Sequence, residues 1–188
     1  LWLERFESEA TKRGGQVLWA RDGAEICRLV TEIARRHGVR KAIKSKSMLS
    51  EEAGLNAALE AAGVQPVETD LGEYIIQLRG ERPSHILAPA LHVSLPEVGE
   101  AFQRHHQRER REPLTTPEQM LAEAREELRV AFRAADVGIT GANFLVAETG
   151  AAVIVTNEGN ADLTASLPAT HIVVTGVEKV VPTLDDLG

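Results

Sequence analysis

DVGITGANFLVAETGAAVIVTNEGN, residues 136–160, holds two short apolar runs, Val137–Thr140 and Ala152–Val155, on either side of a Gly-rich link. Runs this short, rich in β-branched side chains and bounded by Gly and Asn, read as buried strands rather than helices. The second run ends in a polar cluster of Thr156, Asn157, Glu158, Gly159 and Asn160. An open α/β sheet places its ligand crevice beyond the carboxyl ends of its strands, so this cluster is the expected functional edge.

Upstream, helical and strand patterns alternate. Trp2, Leu3, Phe6 and Ala10 recur at helical spacing over residues 1–14, and Gly14-Gly15 stops that helix. Gln16–Ala20 then reads as a strand. Ile26, Leu29, Val30 and Ile33 line one face of a helix over Ala24–His37, with Gly38 past its end and Cys27 in the packing. After a strand over Arg40–Lys44, Ser50 reads as the N-cap of a helix with Glu51 and Glu52 in its first turn. Its buried stripe is Leu55, Ala58, Leu59 and Ala62, and Gly63 ends it. Gln65–Thr69 is a third strand, Tyr74–Leu78 fits a strand or a short helix, and His85–Pro89 reads as a short strand.

Leu95–His106 takes Pro96 in the first turn of a helix, and the mixed-charge run Arg104–Glu112 reads as a solvated helix end or loop. Thr116-Pro117-Glu118 opens the clearest helix, with Leu121, Ala124, Leu128, Phe132 and Ala135 along one face. His171–Thr175 is a last strand before an irregular tail containing Pro182. The alternation predicts an α/β fold, a mainly parallel sheet flanked by helices. The strand-rich stretch from Asp136 to Thr175 predicts an antiparallel part towards the C-terminus. With no internal repeat or low-complexity linker, one domain over residues 1–188 is expected.

The formal net charge of −7 argues against a nucleic-acid or anionic-membrane binder, which needs a basic face. Cys27 is the only cysteine, so this chain can build neither a disulfide framework nor a cysteine metal cluster. No apolar run has the length of a membrane span and no signal peptide opens the sequence, which favours the cytoplasm. The sequence opens on Leu1 instead of methionine, which suggests a piece of a longer protein. The oligomeric state is open, a homo-oligomer included.

Three groups of residues can carry chemistry. Lys44, Ser45, Lys46 and Ser47 lie between a strand and a helix, where ammonium groups, hydroxyls and free backbone N–H groups suit a phosphate or carboxylate ligand. A surface loop offsetting Glu51 and Glu52 is the plainer alternative. Glu148 and Thr149, on the turn before the second apolar run, can converge with Thr156, Asn157, Glu158 and Asn160 on a sugar, a hydroxy acid or a ribose. Either glutamate then serves as base or nucleophile. Ordinary turn chemistry is the competing account. Asp70, Glu73 and His92 each follow an expected strand and can do acid–base work, although such scattered residues are more often structural. No metal site is expected, because His105 and His106 are adjacent and point apart on a helix. There is no GxGxxG dinucleotide fingerprint.

KSKSMLSEEAGLN (44–56), ETDLGEYIIQL (68–78), PSHILAPALH (83–92), ADVGITGANFLVAETG (135–150), TNEGN (156–160) and LPATHIVVTGVEKVVPT (167–183) resemble, in this order, the LUD domain of the lactate utilization protein B family. The resemblance implies a fold similar to the sugar-phosphate isomerase and CoA-transferase superfamily. It also implies membership of an iron–sulfur component of a bacterial L-lactate oxidation system, working with other subunits of that complex. A ferredoxin-like region with two [4Fe–4S] clusters is expected to follow. With Cys27 alone, cluster binding is not a task for these residues. The family's recurring polar motifs fall on Lys44–Ser47, Glu73, Glu148, Thr149, Thr156, Asn157, Glu158 and Asn160. The expected function is binding of a small anionic metabolite, or a partner's cofactor, in a crevice between the Lys44–Ser47 and Thr156–Asn160 loops. The alternatives are a CoA- or nucleotide-dependent transferase or ligase with Glu158 or Glu148 as nucleophile, and a non-catalytic scaffold that docks partner subunits.

Overall fold

A computed structural model describes residues 1–85, 88–106 and 112–188. Four strands, β1 (Lys41–Lys44), β2 (Gln65–Glu68), β3 (Val137–Thr140) and β6 (Thr170–Val173), form a wholly parallel sheet in the order β2-β1-β3-β6. A second, mixed sheet holds β4 (Phe144–Val146) between β5 (Ala151–Val153), antiparallel to it, and β7 (Val180–Val181), parallel to it. This is the α/β architecture that the alternating pattern predicts, and the β4–β5 hairpin supplies the antiparallel part.

The parallel sheet is covered on both faces because neighbouring residues of a strand point to opposite sides. Ala42, Val137 and Ile139 face helices α2 (Gly23–Arg36) and α4 (Leu55–Ala61) through Val30, Ala34, Leu55 and Leu59. Ile43 faces α5 (Leu71–Arg79), α6 (Leu95–His105) and α7 (Pro117–Ala134) through Tyr74, Ile75, Phe102, Leu128 and Phe132. A smaller core of Phe6, Leu145 and Ala147 seats α1 (Trp2–Lys12) on the mixed sheet. Asp136 ties β3 to β1: one carboxylate oxygen accepts the Arg40 and Lys41 N–H groups at 2.8 and 3.0 Å.

Several expectations are corrected. Gln16–Ala20 forms no strand; Val17 alone packs on the mixed sheet, and Leu18 and Trp19 stay exposed. The helix expected from Ser50 begins earlier, because the Ser47 hydroxyl accepts the Ser50 N–H and caps α3 (Met48–Glu52). Gly54, at φ +73°, then separates α3 from α4. Asp70 accepts N–H bonds from Gly72 and Glu73, which settles Tyr74–Leu78 as part of α5.

The second apolar run is no buried strand: β5 is the exposed edge of the mixed sheet. The link read as a turn contains β4, and Asn160–Ser166 forms a further helix, α8. Leu121 is 39% exposed, whereas Met120 is buried on the inner face of α7. The tail that read as irregular contributes β7. The strand expected over His85–Pro89 falls partly on residues 86–87, and Arg104–Glu112 largely on 107–111, outside the described residues.

Helix α8 packs on β3 so closely that a Cβ at Gly138 would stand 1.8 Å from the Thr164 carbonyl oxygen. Gly138→Ala is therefore expected to cost more than about 2 kcal/mol, because backbone on both sides must shift. Urea unfolding of the two proteins measures the difference.

Candidate functional site

At the carboxyl edge of the parallel sheet, β1 and β2 pair with Lys44 opposite Glu68. Lys44 Nζ lies 2.9 Å from Glu68 Oε1, with the two side chains only 1% and 5% exposed. The ammonium also donates to Ser50 Oγ at 3.2 Å, and that hydroxyl donates to the Ser47 carbonyl at 2.8 Å. Asn56, on α4, donates from Nδ2 to Glu68 Oε1 at 2.6 Å. Ser45 continues the strand, giving its N–H to the Ile139 carbonyl at 3.0 Å. Gly141, just past β3, leaves room for Ser47: a Cβ there would be 3.3 Å from the Ser47 hydroxyl.

Lys46 follows at this edge, less buried than its neighbours, with its ammonium 3.7 Å from Glu73 Oε1. Glu73 lies in the first turn of α5 and is itself buried. Burial pushes its carboxyl up to about 9; the hydrogen-bonded Glu51 carboxyl and the charge of Glu68 add to this, and Lys44 opposes it. Three buried oxygens, Asn56 Oδ1, Glu68 Oε2 and Glu73 Oε2, have no hydrogen-bond partner among the described residues. Each such orphan costs roughly 1–3 kcal/mol, so a cluster of them at a strand edge marks a place where stability is given up.

A model of the LUD domain matches residues 3–188. The chain belongs to the LUD domain family. This LUD domain is 44% identical over 186 residues to Lactate utilization protein B of Oceanobacillus iheyensis, 99% of this chain and 38% of that protein. The Bacillus pumilus protein of the same name is 44% identical over 187 residues, 99% of this chain and 39% of its own length. An Escherichia coli K12 relative called Uncharacterized electron transport protein YkgF is 43% identical over 186 residues, again 99% and 38%. The LUD domain thus spans 38–39% of the length of these relatives. No solved structure matches it.

The structure of the LUD domain brings together Lys44, Lys46, Ser47 and Glu73 of the residues singled out in the sequence. His92 sits in the loop between α5 and α6, whose Pro89 packs against Gly72 beside Glu73. Both imidazole nitrogens of His92 are engaged, Nδ1 with Ser84 Oγ at 2.7 Å and Nε2 with Glu81 Oε2 at 2.9 Å. Glu148 and Thr149 belong to the mixed sheet and make structural contacts. Glu148 accepts the Leu184 N–H at 3.4 Å, and Thr149 accepts the Ala151 N–H at 3.3 Å. Thr156, Asn157 and Glu158 follow β5 of the mixed sheet, and Asn160 starts α8, so the strand-end argument made for them does not hold.

Sequence reading passed over Glu68 and Asn56 and took Glu51 only as an acid at a helix start. Glu68 had a signal: a carboxylate closing one short apolar strand while a lysine closes its neighbour. A second polar cluster also escaped it. His106, just past α6, meets Tyr74 Oη through Nε2 at 2.9 Å and Glu123 Oε1 through Nδ1 at 3.3 Å, with its ring stacked 4.5 Å from Phe102. Burial lowers the pKa of His106 and raises that of Tyr74 well beyond the usual phenol range.

No helix among the described residues is long and apolar enough to cross a membrane. Nor does the donor set suit an iron–sulfur cluster: the single thiol, Cys27, donates to the Ala53 carbonyl at 3.1 Å, and burial raises its pKa.

Two outcomes are expected. Lys44→Met leaves Glu68 buried without its cation and should destabilise the fold by about 3–5 kcal/mol in urea unfolding. Glu73 binds its proton more tightly folded than unfolded, so its contribution falls as pH rises from the ordinary 4.5 towards about 9. Glu73→Gln should flatten that fall in thermal melts recorded from pH 5 to 9.

Proposed function

We propose that this LUD domain is the ligand-binding part of a lactate utilization protein and holds a small 2-hydroxy-acid anion, L-lactate, or the 2-oxo acid formed from it, at the carboxyl ends of β1 and β2. The observation that carries the reading is the pairing of the half-buried Lys46 ammonium with the buried Glu73 carboxyl, 3.7 Å apart, beside partnerless oxygens on Glu73 and Glu68. Lys44 is fully buried against Glu68, and Lys46, paired with Glu73 and less buried, is the cation that meets the ligand's carboxylate. The ligand's hydroxyl supplies a hydrogen-bond partner for Glu73 Oε2, which has none among the described residues. In this reading Thr156–Asn160, which lead into α8, supply the second wall of the crevice.

The names of the relatives support this assignment, lactate utilization in two of them and electron transport in the third. Oxidation of L-lactate to pyruvate, assigned here to the whole protein together with partner subunits in the cytoplasm, requires an electron acceptor. The side chains of this domain do not supply one, and the two [4Fe–4S] clusters implied by the resemblance belong, in this proposal, outside residues 1–188.

Isothermal titration of the domain with L-lactate and pyruvate tests the reading. Binding weakened at least tenfold by Lys46→Ala, about 1.4 kcal/mol, with the melting temperature little changed, is expected. Unchanged binding, or unchanged lactate oxidation by the whole protein carrying folded Lys46→Ala, would overturn it.

A further inference from the structure

We infer that His106, Glu123 and Glu127 form a binding site for a divalent transition-metal ion, Zn²⁺ in the first instance, separate from the Lys46–Glu73 edge. One ligand atom from each residue lies within 4.8 Å of the other two. Glu123 and Glu127 are one turn apart on α7 and present their carboxylates on the same side of the helix. His106 arrives from the end of α6, and its side chain and that of Glu123 are 3% and 4% exposed.

The spacing suits two neighbouring ligands of one ion as well as the hydrogen bond between them. Zn–N and Zn–O bonds of about 2.0–2.1 Å place neighbouring tetrahedral ligand atoms about 3.3–3.4 Å apart. His106 Nδ1 and Glu123 Oε1 are 3.3 Å apart. The far side of the imidazole is already held: Nε2 meets the Tyr74 hydroxyl at 2.9 Å, the outer contact that fixes a ligating histidine's ring and tautomer. Phe102, stacked on the ring, keeps water from that face. One imidazole with two carboxylates and no thiolate selects Zn²⁺, Co²⁺ or Mn²⁺ over Cu⁺, while the imidazole disfavours Mg²⁺ and Ca²⁺. Three protein ligands leave the fourth position to water.

The metal would join the end of α6 to the middle of α7, with α5 attached through Tyr74. On this geometry it braces these helices and keeps one coordination position open to water. It needs no lactate chemistry, so it stands or falls apart from the function proposed above.

The test uses the full chain stripped with a chelator and titrated with Zn²⁺, with the Co²⁺ absorption spectrum as an independent readout of the ligand set. One ion per chain, a melting temperature raised by Zn²⁺ and not by Mg²⁺, and a Co²⁺ band of four-coordinate type are expected. Glu127→Gln, at a partly exposed position that the fold does not need, should weaken Zn²⁺ binding at least tenfold, and His106→Gln more. Tyr74→Phe should cost 10–100-fold through the lost outer contact. Absence of bound Zn²⁺, or equal binding by wild type and Glu127→Gln, would overturn the site and leave a Tyr74–His106–Glu123 hydrogen-bond chain only.

Discussion

A lysine and a glutamate, both removed from water, close two adjacent parallel strands. The Lys44–Glu68 pair cannot be judged by its Coulomb energy alone, since removing two charges from water costs several kcal/mol per ion and the attraction between them roughly returns it. Its weight lies in what it forbids. A slip of β2 against β1 by one residue would turn Glu68 to the opposite face and leave Lys44 buried without its carboxylate. The pair therefore fixes strand register, and with it the positions of Ser47, Asn56 and Glu73 around the sheet edge.

Around this pin the two faces of the sheet are filled differently. The α2/α4 face is aliphatic apart from the Lys44–Glu68 pair and Asn56 at its edge. The opposite face carries the aromatic residues, with Tyr74, Phe102 and His106 stacked among Val98, Met120 and Leu128. Helix α5 belongs to both regions: Glu73 in its first turn faces the Lys46 edge, and the next residue, Tyr74, faces the histidine. Any displacement of that turn is felt on both sides, and Asp70, capping it through two N–H groups, holds it in place.

Much of this was legible in the sequence, for identifiable reasons. Helices α2, α6 and α7 announce themselves through long periodic stripes, β3 through a short β-branched run, and β1 and β2 through their place just after Gly38 and Gly63, which end the preceding helices. The missed strands share a cause: β4 and β7 are three and two residues long and held by tertiary pairing, so no local periodicity identifies them. Ser50 read as a cap because Ser at a helix start is a strong local signal. Ser47, three residues earlier, has the same chemistry, and only the fold decides between them. At the site, Lys44, Lys46 and Glu73 were found because strand ends and helix starts are predictable positions. Asn56 and Glu68 were not, since burial of a polar side chain is a long-range property. The same holds for His106 and Glu123, which are 17 residues apart in sequence and neighbours only after α6 and α7 pack.

The seating of α1 has a consequence for the order of assembly. Gly150 approaches this helix so closely that a Cβ there would be 2.2 Å from the Ala10 backbone nitrogen, and Phe6 packs into a core made by Leu145, Ala147 and Val180. A helix of 11 residues is marginal by itself in water. Helix α1 thus finds its partners only after more than a hundred further residues of the chain have been made, and the entropy of closing so long a loop falls on this contact. Until then its apolar face, Phe6 included, lacks the core that covers it in the folded domain.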